Sequence, residues 1–427
     1  GKTLQVIAYL EGQKRKQPSL IVCPASLMYN WAEEFIKFNS PLKVLCISGN
    51  QSIRENLVKD IENYDVIVTT YDYIRQDEEL YKDIQFESFI IDEAQYIKNP
   101  TTKTAKTVKE IQSFHRIALS GTPIENRLSE LWSIFEFLMP GYLYNYTYFR
   151  KHYDKPISID KDEKAIAGLK SLVEPFILRR TKKEVLSELP DKLVKVLGFD
   201  FNDQEKEIYQ AKLAQGNQEV GQILGMEKPD KLQILKILGE LRQICCDPRL
   251  LFEGFDKIST KMKGCLEIID SVMDRQEKVL IFSSFTSTLD LLEESLVQHG
   301  IPYFKLTGST SKEERRRLIH LFQNDETPVF LMSLKAAGVG LNLTVAQNVI
   351  HFDPWWNVSA ENQATDRAHR IGQESAVNVY KLIMRDSIEE KIVDLQAQKQ
   401  ELSDIFIEGS TGSFASMSKD DILDLFR

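Results

Sequence analysis

The sequence predicts an α/β protein built as two parallel-sheet lobes joined by a helical connector and insertion region. Three observations predict it. Residues 1–140 alternate short β-branched runs with helical stretches, the pattern of strands buried beneath crossover helices. Residues 256–386 repeat that pattern. Between them, from about Gly141 to Leu250, the chain is charged and helical with few strand signals.

In the first lobe the candidate strands are Ser19–Cys23, Lys43–Ile47, Asp65–Thr69, Phe89–Ile91 and Arg116–Leu119. In the second they are Lys278–Phe282, Tyr303–Leu306, Val329–Met332, Val349–His351 and Val377–Leu382. Nearly all are continuous apolar runs, as expected for strands covered on both faces. Residues 141–255 read as connector and helical insertions. Residues 387–427 read as a bracing helix from about Ser387 to Ser403, a loop at Gly409-Ser-Thr-Gly-Ser413 and an amphipathic tail.

Length and composition agree with this division. A chain of 427 residues exceeds one ordinary core. Its 42% hydrophobic and 27% charged residues are those of a soluble globular protein. No apolar run approaches a membrane span and no signal segment opens the sequence. The expectation is a monomer without membrane contact, in the cytoplasm and nucleoid-associated if bacterial. Five scattered cysteines and six dispersed histidines show neither CxxC nor zinc spacing, which argues for reduced thiols and against a structural metal. The net charge of −9 weighs against nucleic-acid binding, except through local basic surfaces.

Four motifs carry chemistry. Gly1-Lys2-Thr3 stands directly before a helical pattern, where backbone N–H groups and an ammonium hold phosphates and a hydroxyl reaches Mg²⁺. Ile90-Ile-Asp-Glu-Ala-Gln95 sets adjacent carboxylates just past a strand end, where parallel sheets bind ligands. In that place Asp92 suits Mg²⁺ and Glu93 suits the attacking water. Ser120-Gly-Thr-Pro123 follows the next strand and offers hydroxyls as a relay. Gln363-Ala-Thr-Asp-Arg-Ala-His-Arg370 reads as helical, with Arg367 and Arg370 three apart on one face. Paired guanidinium groups suit a polyphosphate. Each motif has a plainer reading as a tag remnant, acidic turn, loop or solvated helix; their order along the chain favours the phosphoryl-transfer one.

That order resembles the SWI/SNF-type ATPases of helicase superfamily two. The likeness runs through Gly1-Lys2-Thr3, Ile21-Val-Cys-Pro-Ala-Ser-Leu27 with Trp31, Val68-Thr-Thr-Tyr71, Asp92-Glu-Ala-Gln95 and Ser120–Asn126. It continues through Leu178-Arg-Arg-Thr-Lys182, Leu241-Arg-Gln243, Leu280–Phe285, Ser333–Thr344, Phe352-Asp-Pro-Trp-Trp-Asn357 and Gln363–Gln373. The resemblance implies two RecA-like lobes closing on ATP and Mg²⁺, tracking along double-stranded DNA without opening it. It assigns Gly1, Lys2, Thr3 and Gly340 to nucleotide, and Thr3 and Asp92 to the metal. Catalysis falls to Asp92, Glu93, Gln363, Arg367 and Arg370. Contacts to the DNA backbone fall to Ser26, Trp31, Thr70, Asn126, Ser284 and Lys335; such contacts position a duplex without reading its sequence.

The departures are specific. Glycines that precede Gly-Lys-Thr in a complete phosphate loop are not in this sequence, so the chain as written is expected to bind ATP poorly. Cys245-Cys-Asp-Pro248 stands where the family has Cys-Asn-His-Pro, and Gln95 where His is more familiar. Short insertions resemble bacterial or archaeal members. Rival readings are a strand-separating helicase, an ATPase acting with RNA polymerase or other DNA-bound proteins, and a non-catalytic DNA-binding scaffold. Trp355-Trp356 suits lobe packing better than base stacking, because a duplex offers no free bases.

Overall fold

The computed structural model of the chain describes residues 2–120, 128–158, 162–178, 190–226, 230–337, 343–370, 372–396 and 426. They fall into two compact units, one within Gly1–Leu178 and the other within Arg179–Leu402, joined in the second unit by Phe426.

The first unit holds a five-stranded sheet, with β1 Ser19–Cys23, β2 Val44–Cys46, β3 Val66–Thr70, β4 Gln85–Ile91 and β5 Gln112–Ala118 in the order β2-β3-β1-β4-β5. Every pairing is parallel. Alternation along β1 sends its side chains to two cores. Ile21 and Cys23 meet Val6, Ile7 and Leu10 of helix α1 (Lys2–Gly12) and Met28, Trp31 and Phe35 of helix α2 (Met28–Lys37). Leu20 and Val22 join Phe89, Ile91, Val108 and Phe137 on the other face. Each such side chain withdrawn from water contributes about 1.5–3 kcal/mol. After β1 the chain crosses toward β2 and β3, whereas β4 and β5 lie on its other side. The crevice at the carboxyl ends of β1 and β4 is therefore a topological switch point. The helices Leu128–Leu138 and Glu163–Val173 share a further cluster around Leu131, Phe135, Phe149 and Leu169.

The second unit holds a six-stranded, all-parallel sheet. It comprises β6 Lys192–Phe199, β7 Val279–Ser283, β8 Tyr303–Leu306, β9 Val329–Ser333, β10 Asn348–His351 and β11 Val377–Met384, ordered β6-β11-β10-β7-β9-β8. One of these strands departs from the sequence reading. β6 lies in the region read as connector and helical insertions with few strand signals, and pairs with β11 along all eight residues. Its Lys192 and Lys195, together with Leu193, Val194 and Val196 at 49–51% exposure, mark an edge strand. Lysines protect such an edge from mispairing and also mask its apolar signature. The tail read as amphipathic lies outside the described residues except Phe426, which is buried against Gly216 and Ile237.

Candidate functional site

The crevice at the β1 and β4 ends collects most of the first unit's candidate residues. Helix α1 begins at Lys2, so Lys2 and Thr3 occupy its first turn, both partly buried. Asp92 follows β4, and its backbone N–H donates to the Val22 carbonyl at 2.8 Å. Its Oδ1 accepts the Glu93 amide at 2.9 Å and its Oδ2 accepts the Trp31 indole Nε1–H at 3.1 Å. Tyr71, itself buried, donates its hydroxyl to the Asp92 carbonyl at 2.8 Å. Burial raises the Asp92 pKa, and the Glu93 charge raises it further; the Lys2 ammonium, the Glu93 amide and the Trp31 indole oppose that rise.

Glu93 adopts a left-handed backbone at φ 52° and ψ 59°. For a residue with a Cβ this costs about 1–2 kcal/mol, and such strain gathers at functional sites. Gln95 holds the resulting carboxylate, its Nε2 donating to Glu93 Oε2 at 2.8 Å. The same amide accepts from Ser120 Oγ at 3.3 Å. Ser120 and Glu93 thus meet the same side-chain amide.

Two residues expected at a duplex are buried. Trp31 is 2% exposed, on the face of α2 formed by Met28, Trp31 and Phe35. Thr70 is also 2% exposed and caps the helix Tyr71–Gln76 by accepting the Tyr73 amide. Neither side chain offers an outer surface to DNA in this structure. Ser26 is partly buried in the turn before α2. Gly1 and Asn126, like Arg179, Arg180 and Lys182, lie outside the described residues.

In the second unit the helix Val358–Thr365 carries Gln363 but stops before the arginines. Asp366, Arg367 and Ala368 form a turn and His369 and Arg370 a bend, so the shared helix face expected for Arg367 and Arg370 does not form. Gln373 Nε2 reaches the carbonyls of Thr344, Ala346 and Ala368 at 2.9–3.2 Å. The Leu343 amide donates to the Arg367 carbonyl at 2.9 Å. At the helix end the Arg367 and Ala368 amides donate to the carbonyls of Ala364 and Thr365, three residues back instead of four, so the last turn tightens. Arg367 is partly buried and Arg370 exposed. His369 is structural, its Nε2 set 2.8 Å from the Pro190 carbonyl. Gly340 lies outside the described residues; Lys335, in the short helix after β9, is exposed.

Ser284 belongs to a hub that sequence reasoning missed. Arg242 Nη2 donates to Ser284 Oγ, Asp353 Oδ2 and the Pro354 carbonyl, each at 2.8 Å. Its guanidinium also lies 4.9 Å from the Phe285 ring centre and 5.1 Å from that of Trp355. Asp353 further accepts from Ser283 Oγ at 2.6 Å and from the Ser284 hydroxyl. Thus Leu241-Arg-Gln243, Leu280–Phe285 and Phe352–Asn357 converge on one ion pair. Trp355 packs within this unit, as expected. Asp247, in the altered Cys-Cys-Asp-Pro, instead pairs with Arg249 at 2.8 Å.

These features define a two-unit parallel α/β protein with a cation and adjacent carboxylates at a strand-end crevice, the class that handles phosphorylated ligands. Comparison with known proteins makes the assignment specific. Residues 1–250 match the SNF2-related domain and residues 260–372 the helicase conserved C-terminal domain. The chain belongs to the SNF2-related family.

Among its relatives is a Bacillus subtilis protein named putative ATP-dependent helicase/translocase YwqA, 39% identical over 439 residues, covering 100% of this chain and 47% of the relative. A Mycoplasma pneumoniae protein named as an uncharacterized ATP-dependent helicase is 38% identical over 431 residues, covering 100% and 41%. The yeast TATA-binding protein-associated factor MOT1 is 34% identical over 499 residues, covering 100% and 27%. The chain thus spans less than half the length of these relatives. The Sulfolobus solfataricus SWI2/SNF2 ATPase core in complex with dsDNA is 37% identical, with a TM-score of 0.47, covering 100% of this chain and 90% of that one.

Proposed function

We propose that this chain is the ATP-hydrolysing motor of a translocase that moves on double-stranded DNA and remodels protein–DNA complexes without separating strands. The observation that carries the reading is the grouping of Lys2, Asp92 and Glu93 at a strand-end crevice in a chain of the SNF2-related family. The helicase, translocase and TATA-binding-factor names of its relatives support it.

The residues present fit a nucleotide with Mg²⁺. The Thr3 hydroxyl and the Asp92 carboxylate are hard oxygen donors, and Mg²⁺ commonly takes one or two carboxylates beside substrate phosphates. When bound, the nucleotide supplies the phosphoryl group that passes to water. Lys2 neutralises phosphate charge from the first turn of α1. Glu93, oriented by Gln95, polarises the water. In the second unit Gln363, Arg367 and Arg370 are the candidate groups for phosphate charge. Ser26, Asn126, Ser284 and Lys335 are the candidates for the duplex backbone. The cytoplasm or nucleoid is the corresponding location, and RNA polymerase is one candidate partner among DNA-bound proteins.

The test is ATP hydrolysis by the intact protein with and without duplex DNA, beside triplex-displacement and duplex-unwinding assays. Duplex should stimulate hydrolysis and the third strand should be displaced without unwinding. Glu93→Gln should stop turnover while leaving ATP bound. No stimulation at low salt, or unwinding without triplex displacement, overturns the proposal.

A further inference from the structure

Trp31 is placed where packing alone does not explain its chemistry. An apolar face at positions 28, 31 and 35 of α2 is satisfied by any large hydrophobe. A buried indole additionally needs an acceptor for its N–H. Here the acceptor is neither a backbone carbonyl nor a neighbour on the same helix. It is Oδ2 of Asp92, 61 residues away in sequence and 3.1 Å away in space.

The consequence for Asp92 is geometric. Oδ1 is held by the Glu93 amide at 2.9 Å and Oδ2 by Trp31, so both carboxylate oxygens have a fixed donor. Each oxygen keeps a further lone pair for a cation. The backbone beneath is fixed as well, through Val22 and Tyr71. The indole cannot easily swing away, because it is 2% exposed and packed 6.4 Å, centre to centre, from Phe35.

We infer that Trp31 is a positioning residue for the metal-binding carboxylate, its indole N–H aiming Asp92 at the divalent cation that accompanies the nucleotide. The inference rests on the nucleotide reading above. A carboxylate oriented beforehand loses less freedom when the ion arrives, and such supporting partners are typically worth about 10–100-fold in metal affinity.

The experiment measures binding of ADP with Mn²⁺, and of ADP in EDTA, to the intact protein by calorimetry, with bound Mn²⁺ read by electron paramagnetic resonance. Wild type is compared with Trp31→Phe and with a protein carrying 3-benzothienylalanine at position 31. The latter keeps the bicyclic shape and replaces the N–H by sulfur, so it serves even if Trp31→Phe folds poorly. The expected result is about a tenfold loss of Mn²⁺ affinity in the sulfur isostere, with nucleotide affinity in EDTA unchanged. Equal Mn²⁺ affinity in isostere and wild type overturns the inference alone. Loss of duplex affinity with unaltered Mn²⁺ binding also overturns it, returning Trp31 to a DNA role. Failure of the wild type to bind ADP with Mn²⁺ overturns both this inference and the nucleotide reading.

Discussion

Gln95 donates to the Glu93 carboxylate at 2.8 Å and accepts from Ser120 at 3.3 Å, so one side-chain amide bridges the end of β4 to the segment after β5. Replacing it by Leu leaves Glu93 in its left-handed backbone without a lateral restraint. Steady-state ATPase kinetics should show kcat reduced several-fold and KM for ATP little changed. The loss should remain smaller than the roughly 10²–10⁴-fold expected for removing the base itself with Glu93→Gln. An unchanged kcat would mean that Gln95 does not orient Glu93.

Arg242 and Asp353 should matter to stability rather than to chemistry. Their side chains are 3% and 0% exposed and lie 2.8 Å apart. Removing one partner leaves the other charge buried, which typically costs about 3–5 kcal/mol. Arg242→Met should therefore destabilise the second unit by that order in urea. Adding Asp353→Asn should recover part of the loss, because the stranded charge disappears.

His351 gives the second unit a pH dependence of defined sign. Burial depresses its pKa from 6.5 to about 4, and its Nε2 lies 2.9 Å from Thr365 Oγ1. The unfolded chain takes up this proton at higher pH than the folded one, so the stabilisation is complete above the unfolded value. It is lost as pH falls through the window from 6.5 to about 4, by up to roughly 3 kcal/mol. Urea midpoints compared at pH 7 and pH 5 should converge in His351→Gln relative to wild type.

Lys335 is the exposed cation among the duplex candidates. If it meets a phosphate, Lys335→Ala should weaken duplex binding about equally across sequences. It should also reduce the slope of log affinity against log salt by about 1. A salt titration of duplex binding with two unrelated sequences checks both.

The sequence by itself determined the two parallel lobes and the family. Buried parallel strands such as Ser19–Cys23 and Val329–Ser333 are short, wholly apolar runs, a signal that survives without neighbours. Ordered motifs then placed Asp92 and Glu93 past β4, where the fold puts them. The tertiary structure decided what depends on distant partners. β6 is a strand because β11 pairs with it nearly 200 residues later; its lysine-bearing, exposed sequence alone reads otherwise. The helix carrying Gln363 ends at Thr365, and the turn after it is tied to a distant segment by the Leu343 amide, which donates to the Arg367 carbonyl. Trp31 read as a DNA contact from its motif, yet it faces Asp92. Local periodicity encodes which face of a helix is buried, but not which carboxylate waits there: that is settled only when β1 and β4 pair and bring α2 over the strand end.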